Sequence, residues 1–176
     1  MSDTAISFGP HFLSPENVIS LKPKAISNLY KATYESSVLF STLAPADSFW
    51  KDGAYTDEQT IIGKRACILL WHMTCATRVP RTFQLEATMR LLTQTDGLVN
   101  VGTGYGKTYC MLLPTLLNPK TISLVFSPLK ALESAQVAFF NENCVNAITI
   151  NSDTKNTPEL WKVGIFCNSE MIYYDV

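Results

Sequence analysis

A glycine-rich segment constrains this chain more than any other part of its sequence. Residues 101–108 read VGTGYGKT; the apolar run Leu98–Val101 leads into them, and a segment with helical spacing follows. Three glycines within five residues let the backbone turn its N–H groups inward, where side chains would clash with a bound anion. A helix that begins directly afterwards points the positive end of its dipole at the same place. The pattern therefore predicts a strand, a phosphate-binding loop and a helix in succession.

The side chains at the end of this loop supply the remaining chemistry of a nucleotide site. Lys107 can neutralise charge on the β- and γ-phosphates, and the Thr108 hydroxyl can ligate Mg²⁺. Val101 stands where the strict GxxxxGK[ST] pattern has glycine. The alternative is a glycine-rich turn with an incidental lysine, which the expected strand and helix on either side disfavour. The predicted phosphate-binding residues are Thr103, Gly104, Tyr105, Gly106, Lys107 and Thr108, with Thr108 also as the Mg²⁺ ligand.

A glutamine upstream of the loop is a candidate for reading the base. Gln84 ends the sequence RTFQ, which opens an amphipathic helix over Phe83–Thr93, and it lies 23 residues before Lys107. Because an amide both donates and accepts, it matches the adjacent N6 and N7 of adenine. The alternative is a solvated residue that caps the helix.

Beyond residue 80, segments with strand composition alternate with helical segments. This alternation is typical of βαβ units. The expected fold class is therefore α/β, with a parallel sheet flanked by helices. The predicted strands are Leu98–Val101, Thr121–Phe126, Val145–Ile150 and Val163–Cys167, and the later helices begin at Lys107 and Leu129.

The first part of the chain carries helix-start signals without strand patterns. Ser14 precedes a proline and a glutamate, which favours a helix start. Ala25–Ser37 has the composition of a second helix. Thr56 and Gln59 form a capping-box pattern before a largely apolar helix over Thr60–Thr77. The expected organisation is a helical and irregular leader, 1–79, followed by a nucleotide-binding domain, 80–176.

Composition limits the class of protein. With 47 % hydrophobic and 16 % charged residues, the 176-residue chain can bury a core, which excludes a disordered tail. A net charge of −1 gives no bulk attraction to a polyanion, so nucleic-acid binding would need a local basic groove. Such a groove, or a solvated helix face, is expected at Lys64, Arg65, Arg78, Arg81 and Arg90.

Cysteine spacing and the N-terminal residues bear on location. The five cysteines include no Cys-x-x-Cys pair, so we expect reduced, buried thiols and neither a zinc nor an iron–sulfur site. The N-terminal residues lack the basic and apolar regions of a signal peptide, and no apolar run approaches the roughly 20 residues that cross a bilayer. We expect a soluble, intracellular protein without membrane contact, nuclear if the source is a eukaryote, and leave its oligomeric state open.

Three segments together resemble one known family. RTFQ at 81–84, VGTGYGKTYCMLLP at 101–114 and VFSPLKALESAQV at 125–137 are similar to the first RecA-like domain of RecQ-type helicases, which belong to superfamily 2 of DEAD/DEAH type. The resemblance covers about residues 80–172. It implies a RecA-like P-loop NTPase fold, ATP and Mg²⁺ as cofactors, DNA (single strand or fork) as partner, and ATP-driven strand unwinding. It also implies that Gln84 reads adenine and that Gly104, Gly106, Lys107 and Thr108 hold the phosphates and metal.

The same resemblance implies nucleic-acid contacts. Ser127, Pro128 and Lys130 lie where the family touches the phosphate backbone of one strand. Ser127 and the helix N–H groups could cap a phosphate while Lys130 supplies charge, although an ordinary helix cap with Pro128 at its first position is an equal alternative. Asn168–Met171 resembles the next such motif, with Asn-Ser in place of Ser/Thr-Pro. Since these motifs touch backbone, RNA stays open as a substrate.

Hydrolysis needs more than these motifs supply. An acidic residue must hold Mg²⁺ and a further group must orient water, and the family's Asp-Glu-x-His/Asp box provides both. Asp57-Glu58 precedes the loop and suits the first turn of a helix. We therefore expect a truncated domain that binds ATP weakly and neither hydrolyses ATP nor unwinds DNA. The alternatives are a non-catalytic helicase remnant that binds nucleic acid or a protein, and a P-loop kinase or GTPase.

Overall fold

The computed structural model describes residues 13–53, 55–127, 130–152, 154 and 170–175. Within these ranges lie eight helices and three strands. Their bounds are α1 Pro15–Ser20, α2 Pro23–Ser36, α3 Val38–Leu43, α4 Asp47–Asp52, α5 Asp57–Met73, α6 Thr82–Leu92, α7 Tyr109–Leu117, β1 Ile122–Ser127, α8 Lys130–Glu142, β2 Asn146–Ile150 and β3 Glu170–Asp175.

Local capping signals determine where the leader helices begin. The Ser14 hydroxyl accepts a hydrogen bond from the Asn17 N–H at the start of α1, and Thr56 and Gln59 form both bonds of a capping box at the start of α5. These predicted starts are confirmed. The prediction that the helix after Thr56 reaches residue 77 is wrong, because Cys75 and Ala76 adopt φ angles of 50° and 62° and turn the chain out of the helix.

Aromatic rings form the centre of the leader core. Tyr30, Phe40, Trp50 and Trp71 are buried; the Tyr30 ring meets the Phe40 and Trp50 rings edge to face, and the Phe40 ring meets Trp71 in the same way. Ring centroids are 5.4 Å apart for Tyr30 and Phe40 and 5.1 Å apart for Phe40 and Trp71. The same buried cluster continues into the second part of the chain through Leu85, Met89, Leu112, Leu116, Phe140 and Ala147. The leader and the loop-bearing part therefore share one hydrophobic core, and the predicted division at residue 80 stays a prediction.

The three described strands pair in parallel, in the order β1–β3–β2. Ser127 of β1 is in register with Asp175 of β3, and helix α8 packs on β1 and β2. The predicted strands at Thr121–Phe126 and Val145–Ile150 are confirmed within one residue at their ends. Strand β3 was not expected, and the predicted strand at Val163–Cys167 lies outside the described residues. The complete flanked sheet of a RecA-like domain also stays a prediction.

The predicted strand immediately before the glycine-rich loop is not formed. Leu98–Val101 runs without regular secondary structure, and the Leu98 side chain is 93 % exposed. A short run of β-prone residues becomes a strand only when a neighbour pairs with it. Among the described strands, β1 and β2 pair with β3 and not with this segment, so its sequence preference alone does not make it a strand.

The cysteines of the chain were expected to be reduced and buried. Four cysteines in the described residues are free thiols, as expected. The prediction that they are buried holds for Cys67 and fails for Cys75 and Cys144, which lie exposed in turns with positive φ.

None of the helices in the described part of the chain has both the length and the apolarity that crossing a bilayer requires.

One histidine joins the start of the described chain to the end of α5. The N–H of Leu13 donates a hydrogen bond to Nδ1 of His72, 3.2 Å away, and burial lowers the pKa of His72. Only the neutral imidazole can accept this bond, so protonation of His72 opposes the folded arrangement.

We predict that the free energy of unfolding falls as the pH is lowered from 7.5 to 5.5. The unfolded chain takes up a proton on this histidine at about pH 6.5, above the lowered pKa of the folded chain, so the stability is complete above that pH and is lost as the pH falls through the folded pKa. Urea unfolding across this range measures the slope. His72→Gln keeps an acceptor that does not titrate and should flatten the curve, and an unchanged slope in this variant would contradict the prediction.

Candidate nucleotide site

The glycine-rich loop depends on backbone conformations that glycine adopts most easily. Gly104 and Gly106 have φ angles of +83° and +80°. A Cβ built on Gly104 would meet no atom within 4 Å, so glycine is needed there for conformation and not for space. A Cβ on Gly106 would lie 3.0 Å from Nε2 of Gln84, so this glycine also makes room for a neighbouring side chain.

Gln84 connects helix α6 to this loop. Its Oε1 accepts a hydrogen bond from the Arg81 N–H at 2.8 Å, and its Nε2 donates to the carbonyl oxygen of Gly106 at 2.8 Å. The side chain is 3 % exposed, so it caps the helix but is not solvated. The structure thus brings Gln84 to the loop, as its spacing from Lys107 suggested. Both of its polar groups contact the protein, and adenine recognition stays a prediction.

Lys107 lies over the beginning of the loop. Its Nζ donates hydrogen bonds to the carbonyl oxygens of Val101 and Gly102, both at 3.0 Å, while most of the side chain is exposed. Two of the three N–H groups of the ammonium donate to these carbonyl oxygens. The third N–H donates to neither of them. A positive charge is therefore positioned at the loop before any anion arrives.

Thr108 marks the start of helix α7. Its carbonyl oxygen accepts from the N–H groups of Met111 and Leu112, so the following residues turn helically and their dipole points back toward the loop. The predicted helix start at Lys107 therefore falls two residues early. Helix α7 also contains Pro114 and continues to Leu117.

Tyr105 forms the outer wall of the loop. Its ring packs on Gly102, where an added Cβ would lie 3.3 Å from Cε2, and Cζ of Arg81 lies 5.4 Å from the ring centroid. About half of the ring is exposed. Arg81 and Gln84, one helical turn apart on α6, therefore contact the two successive loop residues Tyr105 and Gly106.

The donors of this loop fit a phosphate group. Two glycines with positive φ, a lysine ammonium and the N-terminus of α7 all occur within residues 104–109. Fewer of the described residues suit Mg²⁺ than suit phosphate. Within the described ranges, no three His, Cys, Asp or Glu side chains gather as a metal site. Mg²⁺ is commonly held by substrate phosphates with one or two protein ligands, and the Thr108 hydroxyl fits one such position.

A cleft of about 870 Å³ lies beside the loop, between helix α6 and the extended residues 95–101. Phe83 and Leu91 of α6 line it on one side, and Cys110 of α7 lies at its end. Burial raises the pKa of the Cys110 thiol, while the charge of Lys107 acts in the opposite direction. The unpaired segment at 98–101 thus leaves an open space where a strand would pack.

The predicted nucleic-acid residues are only partly described. Ser127 is buried at the carboxyl end of β1, and Lys130 is the first residue of α8. Pro128 lies outside the described residues, as do the first two residues of Asn168–Met171, while the last two fall in β3. Contact of these residues with nucleic acid stays a prediction.

Several of the cations expected to form a basic groove or a solvated helix face contact other parts of the protein. Lys64 lies over the rings of Tyr30 and Trp50, with its Nζ 5.6 Å and 5.9 Å from the two centroids. Nη2 of Arg65 donates to the carbonyl oxygen of Leu21 at 2.8 Å, and burial lowers the pKa of Arg65. Together with Arg81 on Tyr105, three of the five cations therefore make contacts within the protein.

One buried carboxylate escaped the sequence analysis. Glu133 of α8 is almost fully buried, and Nδ2 of Asn151 donates to its Oε2 at 3.3 Å. This contact joins α8 to the residue that follows β2. An acidic residue in the first turn of a helix is ordinarily exposed, so its burial has no local sequence signal.

Comparison with known proteins identifies the family. The sequence model of the DEAD/DEAH box helicase family matches residues 81–170, just over half of the chain. Comparisons with curated proteins and with solved structures gave no match. The matched region begins at Arg81, contains the whole glycine-rich loop and ends at the first residue of β3, and the family implies a RecA-like P-loop fold. This chain belongs to the DEAD/DEAH box helicase family.

Proposed function

We propose that this chain binds ATP with Mg²⁺ as the ATP-binding portion of a RecQ-like DNA helicase. The observation that carries the proposal is the contact between Gln84 and Gly106, because it joins the expected base-reading residue to the expected phosphate-binding loop. Residues far apart in sequence need not meet in space, and a loop with an incidental lysine gives no reason for this contact. The family match supports ATP-dependent helicase chemistry in general.

The phosphates bind to the loop in this proposal. Backbone N–H groups from Thr103 to Thr108 surround the phosphate oxygens, and Lys107 exchanges its carbonyl partners for β- and γ-phosphate oxygens. This exchange replaces neutral acceptors by charged ones, which make stronger hydrogen bonds with an ammonium group. Thr108 provides one oxygen to a Mg²⁺ ion that the phosphates carry.

Adenine binds to Gln84 through an exchange of partners. The amide gives up the Gly106 carbonyl and the Arg81 N–H, donates to N7 and accepts from N6. ATP binding is then coupled to a small movement of the loop, because the same amide holds the loop in the described structure. Arg81 and Tyr105 lie next to this position and offer flat surfaces to the base.

Nucleic acid binds at the carboxyl end of β1 in the same proposal. Ser127 lies there, directly before the sequence Pro128-Leu129 and the first turn of α8. Sites at the carboxyl ends of parallel strands are typical of α/β folds, and a helix N-terminus favours phosphate. Single-stranded DNA is the proposed ligand, with Ser127, Pro128 and Lys130 at its backbone.

We predict that Lys107→Ala weakens ATP binding roughly ten- to hundredfold, because a charge-assisted hydrogen bond contributes about 1.5–3 kcal/mol. Isothermal titration with Mg²⁺–ATP measures the change. Lys24→Ala is the matched control, since it removes an exposed lysine from α2, far from the loop in sequence. Equal affinities for the two variants would contradict ATP binding at this loop and would favour the alternative of a non-catalytic remnant.

We predict that the chain binds ATP roughly tenfold or more tightly than GTP, since one bidentate contact to a base discriminates by about 1–3 kcal/mol. Gln84→Ala should abolish this ratio. Gln136→Ala is the matched control, because it removes an amide side chain from α8, far from Gln84 in sequence. Competition with a fluorescent nucleotide gives both ratios, and a preference for ATP that survives Gln84→Ala would exclude this residue as the adenine contact.

We predict that the purified 176-residue chain releases no phosphate from ATP, with or without single-stranded DNA. Its sequence has no Asp-Glu-x-His/Asp box after the loop to hold Mg²⁺ from the second side and orient water. A coupled phosphate-release assay measures the rate. Release that DNA stimulates and that Lys107→Ala removes would contradict the prediction.

A further inference from the structure

The leader packs on helix α6 through a glycine. At Gly63 of α5, an added Cβ would lie 2.6 Å and 2.7 Å from two ring atoms of Trp50 and 3.0 Å from Sδ of Met89. Trp50 belongs to α4 and Met89 to α6, so three helices meet at this position with no space for a side chain. Both residues are buried, and close packing of this kind transmits small displacements without absorbing them.

Two hydrogen bonds extend the same contact along α6. The Tyr55 hydroxyl donates to Oε1 of Glu86 at 3.2 Å, near the N-terminal half of the helix. Nε2 of Gln59 donates to the Thr93 hydroxyl at 3.3 Å, directly after its last residue. Helix α6 is therefore attached to the leader at three positions along its length, and they span about two turns.

The other end of α6 carries the contacts to the loop. Gln84 donates to Gly106, and Arg81 lies on Tyr105. Helix α6 has 11 residues, and Leu85 on its inward side is fully buried. A short, packed helix moves as a unit. A displacement at Met89 therefore reaches Gln84, little more than one turn away, and changes its 2.8 Å bond to the loop.

We propose that the leader helices α4 and α5 set the position of the glycine-rich loop by fixing α6, with Gly63 as the positioning residue. This gives the leader a role in nucleotide binding without contact to the nucleotide. The part of the inference that concerns ATP affinity rests on the proposed function, whereas the part that concerns the loop does not.

Gly63→Ala tests the inference. The added methyl group must displace Trp50 or α6, so amide hydrogen exchange in the peptide covering residues 102–109 should rise roughly three- to tenfold. ATP affinity should change with it, because Gln84 and the loop both contact the nucleotide in the proposed function. Trp50→Phe removes the ring atoms that the methyl group meets, so the double variant should recover slow exchange in the loop. Mass spectrometry of the full chain, with no nucleotide added, gives the exchange rates.

Ile26→Val is the control for a general loss of stability. Ile26 is fully buried in α2, which packs on α5 and α3, so the truncation lowers the stability of the leader core while leaving Gly63, Trp50 and Met89 unchanged. Loop exchange should stay at the wild-type rate in this variant. Equal exchange in Gly63→Ala and Ile26→Val would overturn the inference.

Two further outcomes separate the inference from the proposed function. If the wild-type chain binds no ATP while Gly63→Ala accelerates loop exchange, the proposed function fails and the positioning role stands. If Gly63→Ala does not fold, Tyr55→Phe decides, because it removes one hydrogen bond to α6 at an exposed position. Faster loop exchange in Tyr55→Phe supports the inference, and unchanged exchange overturns it.

Discussion

The hydrogen bond from Gln84 to the carbonyl oxygen of Gly106 is the interaction on which the site depends. It joins a side chain to a backbone group 22 residues away in sequence, and Gln84 itself is almost fully buried. An amide in such a place must keep both of its groups bonded, since an unsatisfied buried polar group costs about 1–3 kcal/mol. Gln84 meets this condition by capping its own helix with one group and holding the loop with the other. The position of α6 is therefore linked to the conformation of the glycine-rich loop.

Most of the helices could be predicted because their signals are local. The Ser14 cap and the Thr56–Gln59 capping box each act over three residues, so the sequence contains the whole interaction. Helix α6 follows from apolar spacing in the same way. The succession of loop and helix around Lys107 was also predicted from the sequence, but the strand predicted before the loop is not formed.

What could not be predicted depends on partners that are distant in sequence. Leu98–Val101 was predicted to be a strand and is not, whereas β3 was not predicted and lies between two other described strands. A strand is defined by its neighbours, which composition does not specify. The same limit applies to Arg65 and Lys64, whose charges predict solvent or nucleic acid and whose contacts are a backbone carbonyl and two aromatic rings. Glu133 likewise meets Asn151 only through the packing of α8 on the sheet.

Strand β1 has one face that the described helices leave bare. Ile122, Leu124 and Phe126 alternate along it, and each is more than half exposed. Among the described strands, β1 also pairs on one side only, with β3. Exposed apolar side chains thus lie on a strand that pairs with a single neighbour among the described strands, and exposed apolar strands of this kind draw polypeptides together at high concentration. We therefore expect a polar residue in place of Leu124, which is 55 % exposed, to raise the solubility of the purified chain.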